Sequence, residues 1–373
     1  MKSALLIIFL TLNLINTNGQ NEKQFYFELN GTVNTDSGNI KLIFFSEYTS
    51  NDLKELVVPI KNNQFTFSGH ISEPQGVFIM LDNHFMSSTF ILDKGKQTIT
   101  IDTDSVRKVP RVKNQIMTND YPRYEKYFRS LKKTWDNFYA KSDSLQTYYN
   151  YNIPSTINLN LTREYDSLCI EDNKLLLLYC EKHPDSSFAF WRLIHLMDWG
   201  YEPIYDSIYN AFSSELKEGY AGKIYSQKLI KSKQLKIGQG FPLIQCSDLN
   251  NEPFELEILN TNTLTLIDFW YSCCGPCKAQ FNKLRLLHHK FNSQGFEIIG
   301  ISVDKKSDKQ NLVNTIENEK LVWKQYWDIK GTESKRYSIN AFPTNFLIDN
   351  KGVIIAKNIS LEELENILIK TCN

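Results

Sequence analysis

The sequence predicts a multidomain protein: a β-sandwich-like N-terminal domain, an α-helical middle region and an α/β C-terminal domain. Three observations carry this. Residues 23 to about 105 form short alternating runs broken by turn residues, residues 120 to about 235 repeat apolar side chains at helical spacing, and residues 238 to 373 alternate apolar strands with helices. At 373 residues the chain exceeds one ordinary domain. The expected divisions are 1–19, 20–110, 111–235 and 236–373.

The first nineteen residues read as a secretory signal peptide. Lys2 supplies the positive start, and Ala4 to Ile15 is apolar except for Thr11 and Asn13. Thr17-Asn18-Gly19 places small residues where a signal peptidase reads, so cleavage is expected before Gln20. The apolar run is about a dozen residues, whereas a bilayer span needs about twenty. The expected location is therefore the periplasm or cell envelope.

In residues 20–110, Phe25–Leu29, Lys41–Phe45, Glu55–Val58, Gln64–Phe67, Val77–Leu81 and Gln97–Ile101 each read as a strand. Asn30-Gly31, Ser37-Gly38, Asn62-Asn63 and Lys94-Gly95 punctuate them. His70 and His84 stand alone and suggest no ligand set. In residues 111–235, Tyr124, Tyr127, Phe128, Leu131, Trp135, Phe138 and Tyr139 fit one helix face. A second helix is expected from about Leu161 to Lys182, ended by His183-Pro184, and a third over 187–199. A fourth opens at Pro203 and closes near Gly219, and a fifth spans 220–235. Cys169 and Cys180 would lie about 16 Å apart along the second helix, beyond disulfide reach, and read as core thiols.

In residues 236–373, Leu264–Trp270 is a buried strand, followed by a helix from about Cys274 to Phe291. Phe296–Val303 is a second strand without alternation, as expected where both faces are covered. A helix around 309–319, a hairpin of 344–349 with 353–357, and a last helix over 361–371 complete a βαβ unit followed by ββα.

The chain holds seven cysteines, and three of them, Cys273, Cys274 and Cys277, fall within five positions. Disulfide-stapled exported proteins spread their cysteines through a small chain, so this clustering points to chemistry. Two thiols three apart at a helix start lie one turn from each other and can close a small ring. The positive end of the helix and its free N–H groups favour thiolate at Cys274, the form that attacks a disulfide. Cys277, one turn in, acts second.

The run Asp268-Phe269-Trp270 leading to Cys274-Gly275-Pro276-Cys277, with Phe342-Pro343-Thr344 before a later strand, resembles the thioredoxin superfamily. The C-terminal domain is thus expected to be thioredoxin-like. The resemblance implies that Pro343 is cis and packs against the disulfide, and that the backbone at Phe342 pairs with substrate. Asp268 stands where thioredoxins place a buried acid. Its apolar neighbours Ile267 and Phe269 favour burial, which raises a carboxyl pKa and suits it to take the proton of Cys277. No lysine occurs in Ile298–Ile301, where thioredoxins supply one. Gly238–Pro242 with Asp248–Asn250, Phe296–Asp304 and Phe346–Gly352 bring the resemblance closer to exported TlpA/ResA-like proteins and their redoxin relatives. His183–Ser186 and the β-rich front resemble their long, multidomain form in Bacteroidetes-type bacteria. Cys273 stands where the family usually has Trp. It is either a third thiol able to compete in exchange or a small apolar packing residue. Gln280 replaces a glutamate seen in some cytochrome-maturation members.

The resemblance implies an exported thiol–disulfide oxidoreductase, in the reducing direction, needing no cofactor. Its partners would be disulfide-containing envelope proteins and a membrane electron donor. Equal numbers of acidic and basic residues argue against nucleic acid. A zinc site of Cys274 and Cys277 with His288 or His289 lacks a second compact ligand pair, so metal is not expected. A redoxin-type peroxidase and a non-catalytic ligand-binding envelope protein are the alternatives.

Overall fold

The structure, a computed structural model, describes residues 24–51, 53–81, 85–104, 109–150 and 153–372. The signal expected at 1–19 and His84 lie outside the described residues. The front of the chain forms β1 (Phe25–Val33), β2 (Asn39–Phe44), β3 (Glu55–Pro59), β4 (Gln64–Ile71), β5 (Gln75–Leu81), β6 (Phe90–Leu92), β7 (Gly95–Ile101) and β8 (Arg111–Lys113). They make two four-stranded sheets, ordered β4-β1-β7-β8 and β3-β2-β5-β6. Alternation turns Phe27, Leu29, Phe65 and Phe67 inward. Gly31 has no side chain because the Phe65 ring fills that space: a Cβ there would stand 2.0 Å from a ring atom. The short strands β6 and β8 were not anticipated, since three residues are too few to display a period.

Among the described residues seven α-helices follow: α1 (Gln115–Asn119), α2 (Tyr121–Tyr148), α3 (Ser155–Lys182), α4 (Ser187–Met197), α5 (Ile204–Ala211), α6 (Ser214–Glu218) and α7 (Tyr220–Ser232). The single helix expected from Pro203 to Gly219 is two. Phe212 turns extended to bury its ring, and the Ser213 hydroxyl accepts from Leu216 N at 3.5 Å, starting a new helix. Cys180 is a core thiol as expected, but Cys169 is only half-buried. Sandwich and helices share one apolar core. Trp191 of α4 lies over Gly76, whose added Cβ would approach the indole to 2.6 Å, and its Nε1 donates to Pro74 O at 3.1 Å. The Glu73 carboxylate accepts from Tyr220 N and Ala221 N, holding the start of α7 against the sandwich.

The last part contains β9 (Ser247–Asp248), β10 (Leu264–Trp270), α8 (Gly275–Phe291), β11 (Phe296–Ser302), α9 (Lys309–Asn318), β12 (Lys324–Trp327), α10 (Thr332–Arg336), β13 (Thr344–Asp349), β14 (Ile354–Lys357) and α11 (Leu361–Thr371). The sheet order is β14-β13-β10-β11-β12-β9, with β10 central, parallel to β11 and antiparallel to β13. Leu264, Leu266 and Trp270 face α8 and α11, while Ile267 and Phe269 face the other layer. β12 and α10 add to the expected βαβ–ββα pattern. β12 is four residues with two polar side chains, and α10 is held by Asp328, whose carboxylate accepts from Glu333 N, Ser334 N and Ser334 Oγ. Among the described residues no helix is long and apolar enough to cross a membrane.

The helical part meets this domain beside residues 337–341. The Ser232 hydroxyl donates to Ser338 Oγ at 2.9 Å, and Lys357 Nζ donates to Tyr201 O at 3.0 Å. Leu235, just after α7, is buried among Phe241, Phe346 and their neighbours in the core of the last domain.

Candidate functional site: a dithiol at a helix start

β10 delivers the chain to the rim of the sheet, and α8 carries it away. Pro276 suits the first turn of α8, where its missing N–H leaves no bond unmade. The helix starts at Gly275 rather than at the expected Cys274, because Cys274 is its N-cap. The Cys274 Sγ accepts from Cys277 N at 3.1 Å, in the role a serine hydroxyl usually fills. This puts the sulfur in the positive field of a 17-residue helix. His288, His289 and Lys290 sit at the opposite end, matching its negative pole. Cys274 and Cys277 form a disulfide, their Cα atoms 5.3 Å apart, and each is 1% exposed. Cys273 is exposed, so it does not pack as a small apolar residue.

Asp268 lies two residues before the end of β10, 3% exposed, on the face that also buries the disulfide. Burial alone pushes its pKa up to about 7, and its Oδ1 has no hydrogen-bond partner among the described residues. The Phe342–Pro343 peptide is cis. Phe342 packs against the apolar cluster containing both cysteines, and its ring meets that of Tyr271 edge-on at 5.7 Å. The five residues expected at the site, Cys274, Cys277, Asp268, Phe342 and Pro343, thus lie around the same end of β10.

The sequence did not reveal what holds the loop before Cys274. Asp304, after β11, accepts from Ser272 N at 2.9 Å, Ser272 Oγ at 2.7 Å and Ser302 Oγ at 2.7 Å. Its backbone carbonyl accepts from Trp327 Nε1 at 2.8 Å. The only signal was a polar pair, Ser272 in the loop before Cys274 and Asp304 just past the strand read as Phe296–Val303. Asp304→Ala strands these donors in a buried place. It is expected to lower unfolding free energy by about 3 kcal/mol, measured by urea denaturation, and to speed alkylation of Cys274 in the reduced protein. An unchanged denaturation midpoint would contradict this.

His288 lies fourteen residues beyond Cys274 on α8, about 21 Å away along the axis. It hydrogen-bonds Glu297 at 2.7 Å, so it does not complete a zinc site with the cysteines. Among the described residues no group of three or more His, Cys, Asp or Glu is placed to hold a metal.

A disulfide capping a helix, beside a cis-proline loop on a mixed sheet, defines a thioredoxin-fold thiol–disulfide oxidoreductase. The AhpC/TSA family matches residues 237–357, and a domain of unknown function, DUF4369, matches residues 27–121. Thiol-disulfide oxidoreductase ResA of a Bacillus cereus strain is 29% identical over 151 residues, 39% of this chain and 85% of that protein. Sporulation thiol-disulfide oxidoreductase A of Bacillus subtilis is 29% identical over 101 residues, 27% of this chain and 61% of that protein. Among solved structures, the thioredoxin domain of a thiol-disulfide oxidoreductase from Bacteroides vulgatus is 29% identical, covering 37% of this chain and 99% of its own, with a TM-score of 0.34. Residues 237–357 thus resemble a TlpA/ResA-like domain of the thioredoxin superfamily, set behind a β-rich front and a helical middle.

Proposed function

We propose that the protein is exported and reduces disulfides of envelope proteins through Cys274 and Cys277. The observation that carries this reading is the Cys274–Cys277 disulfide at the N-cap of α8, with a backbone N–H on the first sulfur. The apolar run Ala4–Ile15 supports export.

In the reduced protein Cys274 is the thiolate and Cys277 the thiol. Cys274 Sγ attacks one sulfur of the substrate disulfide, forming a mixed disulfide and releasing the other sulfur as thiolate. Asp268 then accepts the proton of Cys277, directly or through water, and Cys277 Sγ attacks Cys274 Sγ. The mixed disulfide breaks, the second substrate thiolate leaves, and the Cys274–Cys277 disulfide forms. Two electrons pass to the substrate, and a membrane-held dithiol donor returns them. An acid with pKa about 7 suits this role, since it holds and gives up a proton in the working range. The cis Phe342–Pro343 segment offers the backbone against which an extended substrate lies, with Tyr271 and Phe342 as flanking rings.

The test is insulin reduction by the full chain with dithiothreitol as reductant. Precipitation of the insulin B chain is expected to run well ahead of reductant alone, and to fall to that level in the Cys274→Ser, Cys277→Ser double variant. A wild-type protein that shows a reducible disulfide but no acceleration would overturn the proposal.

A further inference from the structure

Asp268 is one of three residues in a row across the sheet. It stands opposite Gly300 on β11, and Gly300 stands opposite Gln325 on β12. Paired residues of neighbouring strands share a face, and this face is the one that buries the disulfide. The middle position has no side chain, and Gln325 uses that space. A Cβ on Gly300 would meet Gln325 Oε1 at 2.1 Å, Cδ at 2.7 Å and Nε2 at 2.8 Å. The carboxamide therefore lies over β11, about one strand spacing (~4.8 Å) from the side-chain base of Asp268.

The orientation of the amide is fixed as well. Its Oε1 accepts from Trp270 Nε1 at 3.0 Å. Among the described residues its Nε2 is buried without a hydrogen-bond partner, and so is Asp268 Oδ1. A donor and an acceptor, each costly to bury alone, thus share one face about a strand apart, with no bond between them in the oxidised protein. We propose that Gln325 is a positioning residue for Asp268: its amide, anchored by Trp270, supplies the hydrogen-bond donor that stabilises the Asp268 carboxylate during resolution by Cys277. This rests on the reading of Asp268 as proton acceptor.

Other titratable groups do not explain away the pairing. On α8, α11 and their caps the buried titratable side chains of this face are thiols: Cys274, Cys277 and Cys372. On β11 and β13 the charged residues Glu297 and Asp349 are opposite Thr265 and Leu264, three and four residues back along β10, about 10–13 Å from Asp268. On β12 Lys324 is exposed and pairs with Ile299, whose side chain faces the other layer. On β13 the residue opposite Asp268 is Asn345, which does not titrate. Asp304 is committed to Ser272 and Ser302.

The experiment reads Asp268 in two independent ways, in the full chain carrying Cys273→Ser so that the exposed thiol does not react. The first is its carboxyl carbon resonance against pH, assigned by its loss in Asp268→Asn. Gln325→Met keeps the volume and removes the donor, and is expected to raise the Asp268 midpoint by about 1 pH unit or more. Gln325→Lys places a cation there and is expected to lower it. Opposite shifts cannot come from loosened packing alone. The second is the release of two nitrothiolates from Ellman's reagent in a single turnover, the second release reporting resolution. Its pH limb is expected to follow the resonance in each variant. An Asp268 resonance that titrates as in wild type in both variants overturns the proposal. If the resonance shifts but Asp268→Asn leaves the second release unchanged, the coupling stands and the proton-acceptor role of Asp268 fails instead.

Discussion

With Cys277 changed to serine, Cys274 is expected to hold its substrates covalently. Attack by Cys274 needs only its own thiolate, which the α8 N-terminus stabilises. Release needs the second sulfur, buried one turn further in. The Cys277→Ser protein, produced in cells, should therefore carry disulfide-linked partners that separate on reduction. Non-reducing electrophoresis followed by mass spectrometry identifies them. Cys274→Ser should trap none, and insulin reduction should drop to the uncatalysed level in both variants. The comparison belongs in a Cys273→Ser background, because that exposed thiol can form mixed disulfides of its own. Equal trapping by Cys274→Ser and Cys277→Ser would sink the assignment of Cys274 as the attacking sulfur.

The second large effect concerns Asp268 and runs in two directions at once. Its pKa is about 7 in the folded protein, against 3.8 for an unperturbed aspartate. Between those values the folded chain binds more protons than the unfolded one, so this group's contribution to stability falls as pH rises through about 7. Asp268→Asn removes that penalty. The variant should match wild type near pH 4 and exceed it above pH 7, by on the order of 4 kcal/mol. Urea denaturation at both ends of that range measures the difference. The same change should slow the Cys277-dependent step by about 100-fold, since a general base is lost. A stability difference independent of pH would refute burial of an ionisable acid here. A variant both more stable and slower would be an active site held at a cost to the fold.

The dithiol was legible because its chemistry is local: three residues of spacing and a helix start put both sulfurs in place. Long regular elements such as Tyr121–Tyr148 and Leu264–Trp270 were legible because their period or apolar run exceeds what chance produces. What escaped was set by contacts distant in sequence. Lys324–Trp327 reads as polar coil until β11 supplies its partner. Phe212 breaks a helix that local propensity would continue, because the core takes its ring. Asp304 and Gln325 carry no motif, and their meaning comes from Ser272 and Trp270, thirty-two and fifty-five residues away in the chain. The N-cap role of Cys274 was one residue from the expected helix start, yet that residue decides which sulfur receives the backbone donor.

The seating of Leu235 bears on how the chain can be dissected. A fragment cut at residue 236 keeps every redox residue but leaves Leu235, 4% exposed, on the discarded side. It would also cut the tie between Ser232 and Ser338, five residues before the cis proline. Such a fragment would expose a cleft under Phe241 and Phe346 and free one anchor of the loop that carries the cis proline. A weak fragment would therefore indict the cut rather than the catalyst, and a cut placed ahead of Ser232 is the sounder way to isolate the redox unit.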